Sequence, residues 1–145
     1  VYVHFLGTPT DAQSLDAQLA LLAEQRSAFA ALHAPKQAGP ELLLRIAADP
    51  ARVAKGKEQF ALKCAPSHGP AGEGVVGPNL TDEFWLHGGS IEKIRLTIAN
   101  GVPEKGMLAW NGLVSSDEID ELTAFLWTIR NTNVPGKAPQ GDKAS

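Results

Sequence analysis

The alternation of apolar and polar positions divides the chain into short helices separated by stretches rich in glycine and proline. Between Asp11 and about Leu32, Leu15, Leu19, Leu22 and Phe29 recur at helical spacing, with Glu24, Gln25 and Arg26 as a polar interruption. This spacing predicts an amphipathic helix, capped by Thr10 or Asp11 after the break at Gly7-Thr8-Pro9. His33 to Pro40 holds two prolines and a glycine and reads as a connector, followed by a turn or two of helix at Leu42, Leu43, Leu44 and Ile46. Asp49-Pro50 is an N-cap followed by proline at the first helical position. The helix it opens runs to Lys63, with Val53, Gly56, Phe60 and Cys64 on one stripe. A glycine inside a helix costs about 1 kcal/mol relative to alanine, so Gly56 predicts the close approach of another helix. The same stripe turns Cys64 toward the core.

A glycine-rich loop occupies 69–80. Thr81, Asp82 and Glu83 then read as the cap of a short helix through Trp85 and Leu86, closed by Gly88-Gly89. Ser90 starts a further helix carrying Ile91, Ile94, Leu96 and Ile98, and Gly101 ends it. A second irregular stretch, 102–112, contains Met107, the only methionine. Ser115 with Glu118 is a capping box. The helix behind it has Ile119, Leu122, Leu126 and Ile129 on one face, flanked by Phe125 and Trp127, while Glu118, Asp120 and Glu121 read as solvated. The resulting expectation is an all-α protein with a segment at 1–10, a helical extension and linker at 11–49, a compact domain at 50–132 and an extended, flexible tail at 133–145.

Composition narrows the functional classes. With 145 residues, 43% hydrophobic, and 13 basic against 16 acidic side chains, the chain is neither disordered throughout nor built around a polybasic nucleic-acid surface. A single cysteine excludes an internal disulfide and argues against a thiolate zinc site. The apolar run Val1 to Leu6 is far shorter than the roughly 20 residues that span a bilayer. The chain as it stands is expected to be soluble, and that run fits the cut end of a longer apolar helix. A domain of about 80 residues with little continuous core commonly needs a staple. With no disulfide available, a buried prosthetic group would provide one.

The chemistry concentrates at Cys64-Ala65-Pro66-Ser67-His68, one residue short of the Cys-x-x-Cys-His haem attachment signature, with Ser67 at the second thiol position. Alone, such a cysteine also suits a small buried hydrophobe. Iron in a site of this kind takes two axial ligands, and a His/Met pair favours a high-potential electron-transfer centre. His68 follows the attachment cysteine, and Met107 lies in a glycine- and proline-bounded loop between the last two helices. The alternative for Met107 is gap-filling in a core. His87 is the fallback ligand, although a helix-end histidine also suits a solvated cap; His4 and His33 lie outside the compact region. A ligating histidine gives its second ring proton to an acceptor, and Pro78, a carbonyl with no competing N–H, is the natural supplier. Trp85 and Trp110 can line the group or bond its propionates, or pack in the core. No nucleophile, general acid or paired carboxylate suggests catalysis by this chain.

These residues resemble class I cytochrome c from Gly56 to Ile129. Gly56 and Phe60 match the first helix, Cys64 to His68 the haem motif, Gly77-Pro78-Asn79-Leu80 the proximal loop, Gly106-Met107 the distal loop, and Leu122 to Trp127 the last helix. The stretches Asn79 to Ile91 and Gly101 to Met107 are similar to the cytochrome c subunit of cbb-type (C-family) haem-copper oxidases, and Lys137 to Asp142 to the end of its single-haem versions. The resemblance implies a class I cytochrome c fold, short helices wrapped around one haem c. It also implies an electron carrier rather than an enzyme, tethered to the membrane on the periplasmic side of the bacterial inner membrane. Its partners would be a donor cytochrome or quinol-oxidising complex and the catalytic subunit of the oxidase, with no nucleic acid. By the same resemblance His68 is the proximal and Met107 the distal iron ligand, Pro78 the acceptor for His68, and Cys64 the anchor. Ser67 departs from the family pattern and cannot form a thioether, which leaves one bond through Cys64. A stand-alone periplasmic cytochrome, a haem-based ligand sensor or weak peroxidase, and a haem-free helical module are the alternatives.

Overall fold

A computed structural model describes residues 11–33 and 38–144. The apolar run at 1–6, His4 and the connector residues 34–37 lie outside the described residues. Backbone contacts divide the chain into two units, 1–36 and 37–145. Among its described residues the first holds the helix α1 (Asp11–His33). It is not amphipathic as expected: Leu21 and alanines at 17, 20, 23 and 28 fill the sides that the leucine spacing leaves open. Leu15, Leu19, Leu21 and Leu22 are all about half exposed.

In the second unit the chain runs through α2 (Pro40–Ala47), α3 (Pro50–Lys63), the one-turn α4 (Ala65–His68), β1 (Phe84–Trp85), α5 (Ile91–Asn100), a 3-10 turn (Pro103–Lys105), α6 (Ser116–Ile129) and β2 (Asp142–Lys143). Helix α6 is the centre, with α2, α3 and α5 all packed on it. Ile119, Leu122, Phe125 and Leu126 are buried on α6 and meet Phe60, Ile94 and Ile98. Each such side chain contributes about 1.5–3 kcal/mol on leaving water. Phe60 and Phe125 tilt across each other at 54°, with centroids 5.2 Å apart, an arrangement aromatic rings favour. Gly56 explains how α3 comes so close. A β-carbon there would overlap the Glu121 carbonyl, lying 2.6 Å from its carbon and 3.0 Å from the Phe125 β-carbon.

The start of α6 follows from its sequence. The Ser115 hydroxyl accepts from the Glu118 N–H at 3.2 Å, and the Glu118 carboxylate accepts from the Ser115 N–H at 2.9 Å. This bond from the Ser115 backbone, more than any other influence, holds the Glu118 carboxyl below its usual pKa, so its contribution is present at neutral pH and lost as the pH falls through the carboxylate range. Ser115→Ala is expected to destabilise the protein by about 1 kcal/mol in urea unfolding at neutral pH.

Four boundaries or surfaces differ from the sequence reading. The compact unit begins at 37 rather than Pro50 because Leu43, fully buried, packs with Ala38 and Ile91, and Trp127 closes over them. Residues 81–86 are not helical. Asn79 Oδ1 accepts from the N–H and hydroxyl of Thr81, at 2.8 and 2.7 Å, and Asp82 Oδ1 accepts from the Phe84 N–H at 2.8 Å. These side-chain turns take the donors a helix would need, and Phe84–Trp85 instead pairs antiparallel with Asp142–Lys143.

The tail is extended but fastened: Asn133, Lys137 and Ala144 donate backbone N–H bonds of 2.8–2.9 Å to Thr81, Glu73 and Glu83. The acidic side of α6 is also only partly solvated. Asp120 and Glu121 are buried, Asp120 against Arg95 Nε at 2.6 Å and Glu121 against Arg52 Nε at 2.6 Å.

Candidate functional site

The site begins where α3 ends. Cys64 closes α3 by donating its N–H to the Phe60 carbonyl at 2.8 Å, and its own carbonyl accepts from His68 at 2.9 Å, which starts the single turn of α4. The thiol and the imidazole are therefore one helical turn apart. Cys64 is half-buried against the Phe60 cluster. Burial pushes its thiol up to about 11, against the pull of Lys63, so it is a protonated, weakly nucleophilic group at neutral pH. Ser67 is exposed.

His68 is 9% exposed. Its Nδ1 lies 3.0 Å from the Pro78 carbonyl. A carbonyl only accepts, so Nδ1 carries the proton and donates it, leaving the lone pair on Nε2. Burial lowers the pKa of the ring, opposed by the Pro78 carbonyl and assisted by the charge of Lys137. The imidazole is thus held neutral in one tautomer. The 72–80 loop folds back over α4: Gly77 donates to the Ser67 carbonyl at 2.7 Å and Gly74 to that of His68 at 2.6 Å. Gly77 lies directly on the ring, where a β-carbon would be 2.6 Å from His68 Cε1.

Met107 is half-buried and exchanges two backbone hydrogen bonds with Val102, at 3.0 and 3.1 Å, across the 3-10 turn. The following residues are strapped to α5, Trp110 to the Ile98 carbonyl at 3.2 Å and Asn111 to that of Ala99 at 3.0 Å. Among the described residues, no hydrogen bond links this loop to the His68 loop. Trp85 belongs to the main apolar cluster, and Cys64 and Trp110 pack against it; Met107 is not among these residues. Trp85 is 9% exposed, and its indole N–H is buried with no hydrogen-bond partner among the described residues. His87 is exposed, on an open groove of about 200 Å³ that also involves Leu96, Asn100 and Val102. The importance of Gly77, Asn79 and Lys137 escapes a reading of periodicity, because each acts through a loop contact. For Lys137 the only sequence signal is the resemblance of the tail.

The fold is that of a cytochrome c. Cytochrome cL of Methylophaga aminisulfidivorans superposes with a TM-score of 0.52 at 20% identity, over 65% of this chain and 73% of that one. Residues 51–126 match the family described as cytochrome c oxidase, cbb3-type, subunit III, and the chain belongs to that family. The cbb3-type cytochrome c oxidase subunit FixP of Azorhizobium caulinodans is 34% identical over 100 residues, covering 63% of this chain and 34% of the relative. FixP of Bradyrhizobium diazoefficiens is 40% identical over 105 residues, covering 63% and 36%. Subunit CcoP of Rubrivivax gelatinosus is 49% identical over 57 residues, covering 39% and 19%. The chain thus spans about a third of the length of the first two relatives.

Membership implies haem c, and the residues present fit it. A buried histidine whose Nδ1 donates to a carbonyl, which places the lone pair on Nε2, stands one turn after a half-buried thiol. The unpartnered Trp85 N–H is a donor suited to a propionate carboxylate. Among the described residues, no three His, Cys, Asp or Glu side chains gather to hold a bare ion.

Proposed function

We propose that this chain is the haem-bearing, electron-transferring part of a cbb3-type oxidase subunit, and that it takes single electrons from a donor cytochrome or quinol-oxidising complex. It passes them to the catalytic subunit of the haem-copper oxidase, where the oxygen chemistry takes place. The subunit works on the periplasmic side of the bacterial inner membrane, held there by a membrane tether. The observation that carries this reading is the bond of 3.0 Å from His68 Nδ1 to the Pro78 carbonyl, in the turn that follows Cys64.

Haem, when bound, supplies an iron centre that accepts and gives one electron, at a potential that His/Met ligation raises. His68 would hold the iron through Nε2, and its bond to Pro78 keeps ring and tautomer fixed. Met107 presents the second ligand, a soft thioether. Cys64 anchors the group through one thioether, since the Ser67 hydroxyl forms none. Trp85 would give its N–H to a propionate, and Trp110 would line the apolar wall of the site.

Met107→Ala tests the ligand assignment. The variant is expected to keep its haem through Cys64 and His68, to bind carbon monoxide when reduced, and to lose more than about 59 mV of midpoint potential, a tenfold change for a one-electron couple. An unchanged potential with no carbon monoxide binding would remove Met107 from the site.

A further inference from the structure

We propose that Lys137, in the C-terminal segment, is a positioning residue for His68. Its ammonium clamps the loop that carries the Pro78 acceptor and sets a fixed positive charge behind the ligand. This inference rests on the haem reading above. Lys137 Nζ donates to the Val76 carbonyl at 2.8 Å and more weakly to that of Gly77 at 3.4 Å. These are the two carbonyls immediately before Pro78, and the Gly77 carbonyl belongs to the peptide bond with Pro78 itself. The next carbonyl along is the one that accepts from His68.

The same segment grips the loop at two further points. The Lys137 N–H donates to the Glu73 carbonyl at 2.9 Å, and Asn79 Nδ2 donates to the Val134 carbonyl at 3.2 Å. The loop is therefore fixed between α4 on one side and residues 134–137 on the other.

A lysine in an extended surface segment ordinarily keeps its ammonium in water. Here the side chain is half-buried and forms no ion pair among the described residues. The Glu73 carboxylate, the acidic group nearest in the loop, is engaged by the Ala71 N–H at 2.8 Å. The lysine charge is thus spent on carbonyl oxygens, where a charge-assisted bond is about twice as strong as a neutral one. Two consequences follow. The Pro78 carbonyl is held in register with Nδ1, and a cation stands near the site that gains positive charge on oxidation. A fixed cation disfavours that state, so Lys137 raises the reduction potential.

The test compares the wild-type holoprotein with Lys137→Gln and Lys137→Arg by optical potentiometric titration, with haem content from the haemochrome spectrum. Lys137→Gln is expected to favour the oxidised form by about three- to tenfold at equal haem content, or to lose haem from His68 ligation outright. Lys137→Arg, which keeps charge and donors, is expected to restore most of the wild-type behaviour. Full haem content with a wild-type potential in Lys137→Gln overturns the proposal. If the wild type takes up no haem, the functional reading fails, and amide exchange in the haem-free protein decides the clamp. The Gly74 and Gly77 amides are then expected to exchange at least about tenfold faster in Lys137→Gln, and unchanged rates overturn the clamp.

Discussion

Gly56→Ala is expected to lower the unfolding free energy by about 3 kcal/mol or more, at the upper end of what overpacking costs. The added methyl would stand 2.6 Å from the Glu121 carbonyl carbon and 3.0 Å from the Phe125 β-carbon, and neither can step aside. One is backbone in the middle of α6, and the other is the root of a ring tilted against that of Phe60. Relief requires α3 to move off α6, which unpacks Phe60, 1% exposed, from Leu122 and Phe125. Because α3 ends in Cys64, the displacement reaches the site as well as the core. Guanidinium unfolding measures the loss, and a stability within about 1 kcal/mol of wild type would show that the α3–α6 contact is looser than the geometry requires.

Arg95→Met is the second large effect. Arg95 bonds Asp120 at 2.6 Å and the Ser116 hydroxyl at 2.8 Å, and both members of the pair are almost wholly buried. Removing the guanidinium leaves a carboxylate without its counter-ion between α5 and α6, a loss of about 3–5 kcal/mol. An apolar pair of similar volume has no such charge to leave stranded. The double variant Arg95→Met/Asp120→Leu is therefore expected to recover most of the loss, and its failure to do so would mean that the pair holds the helices by geometry rather than by charge balance.

The parts of this molecule legible from sequence are those in which a local rule and the tertiary contact agree. Asp49-Pro50 and the Ser115/Glu118 capping box open α3 and α6 where helix-start chemistry puts them. Gly56 announces a helix crossing because no local reason for a glycine exists there. His68 and Pro78 are hydrogen-bonded across ten residues of glycine-rich loop, a pairing suggested by a ligating histidine's need for an acceptor.

The parts that could not be read are decided by contacts distant in sequence. Thr81 to Leu86 carries helix-start residues, yet Asn79 and Asp82 capture its N–H donors and β2 arrives from the far end of the chain. Asp120 and Glu121 look solvated on a helical wheel, and only Arg95 and Arg52, on other helices, make their burial tolerable. Leu43 looks like part of a linker until Ile91 and Trp127 are seen to cover it. The tail has no periodicity because it is held by backbone bonds and by the side chains of Lys137 and Lys143, none of which leaves a pattern in hydrophobicity.

We propose that Cys64 alone attaches one haem covalently. The most direct test of this attachment is the intact mass of the denatured protein, produced with c-type cytochrome maturation, together with its pyridine haemochrome spectrum. The expected result is a mass raised by one haem and an absorption maximum between those of two-thioether and unattached haem. An unmodified mass with no haem in the spectrum would contradict it.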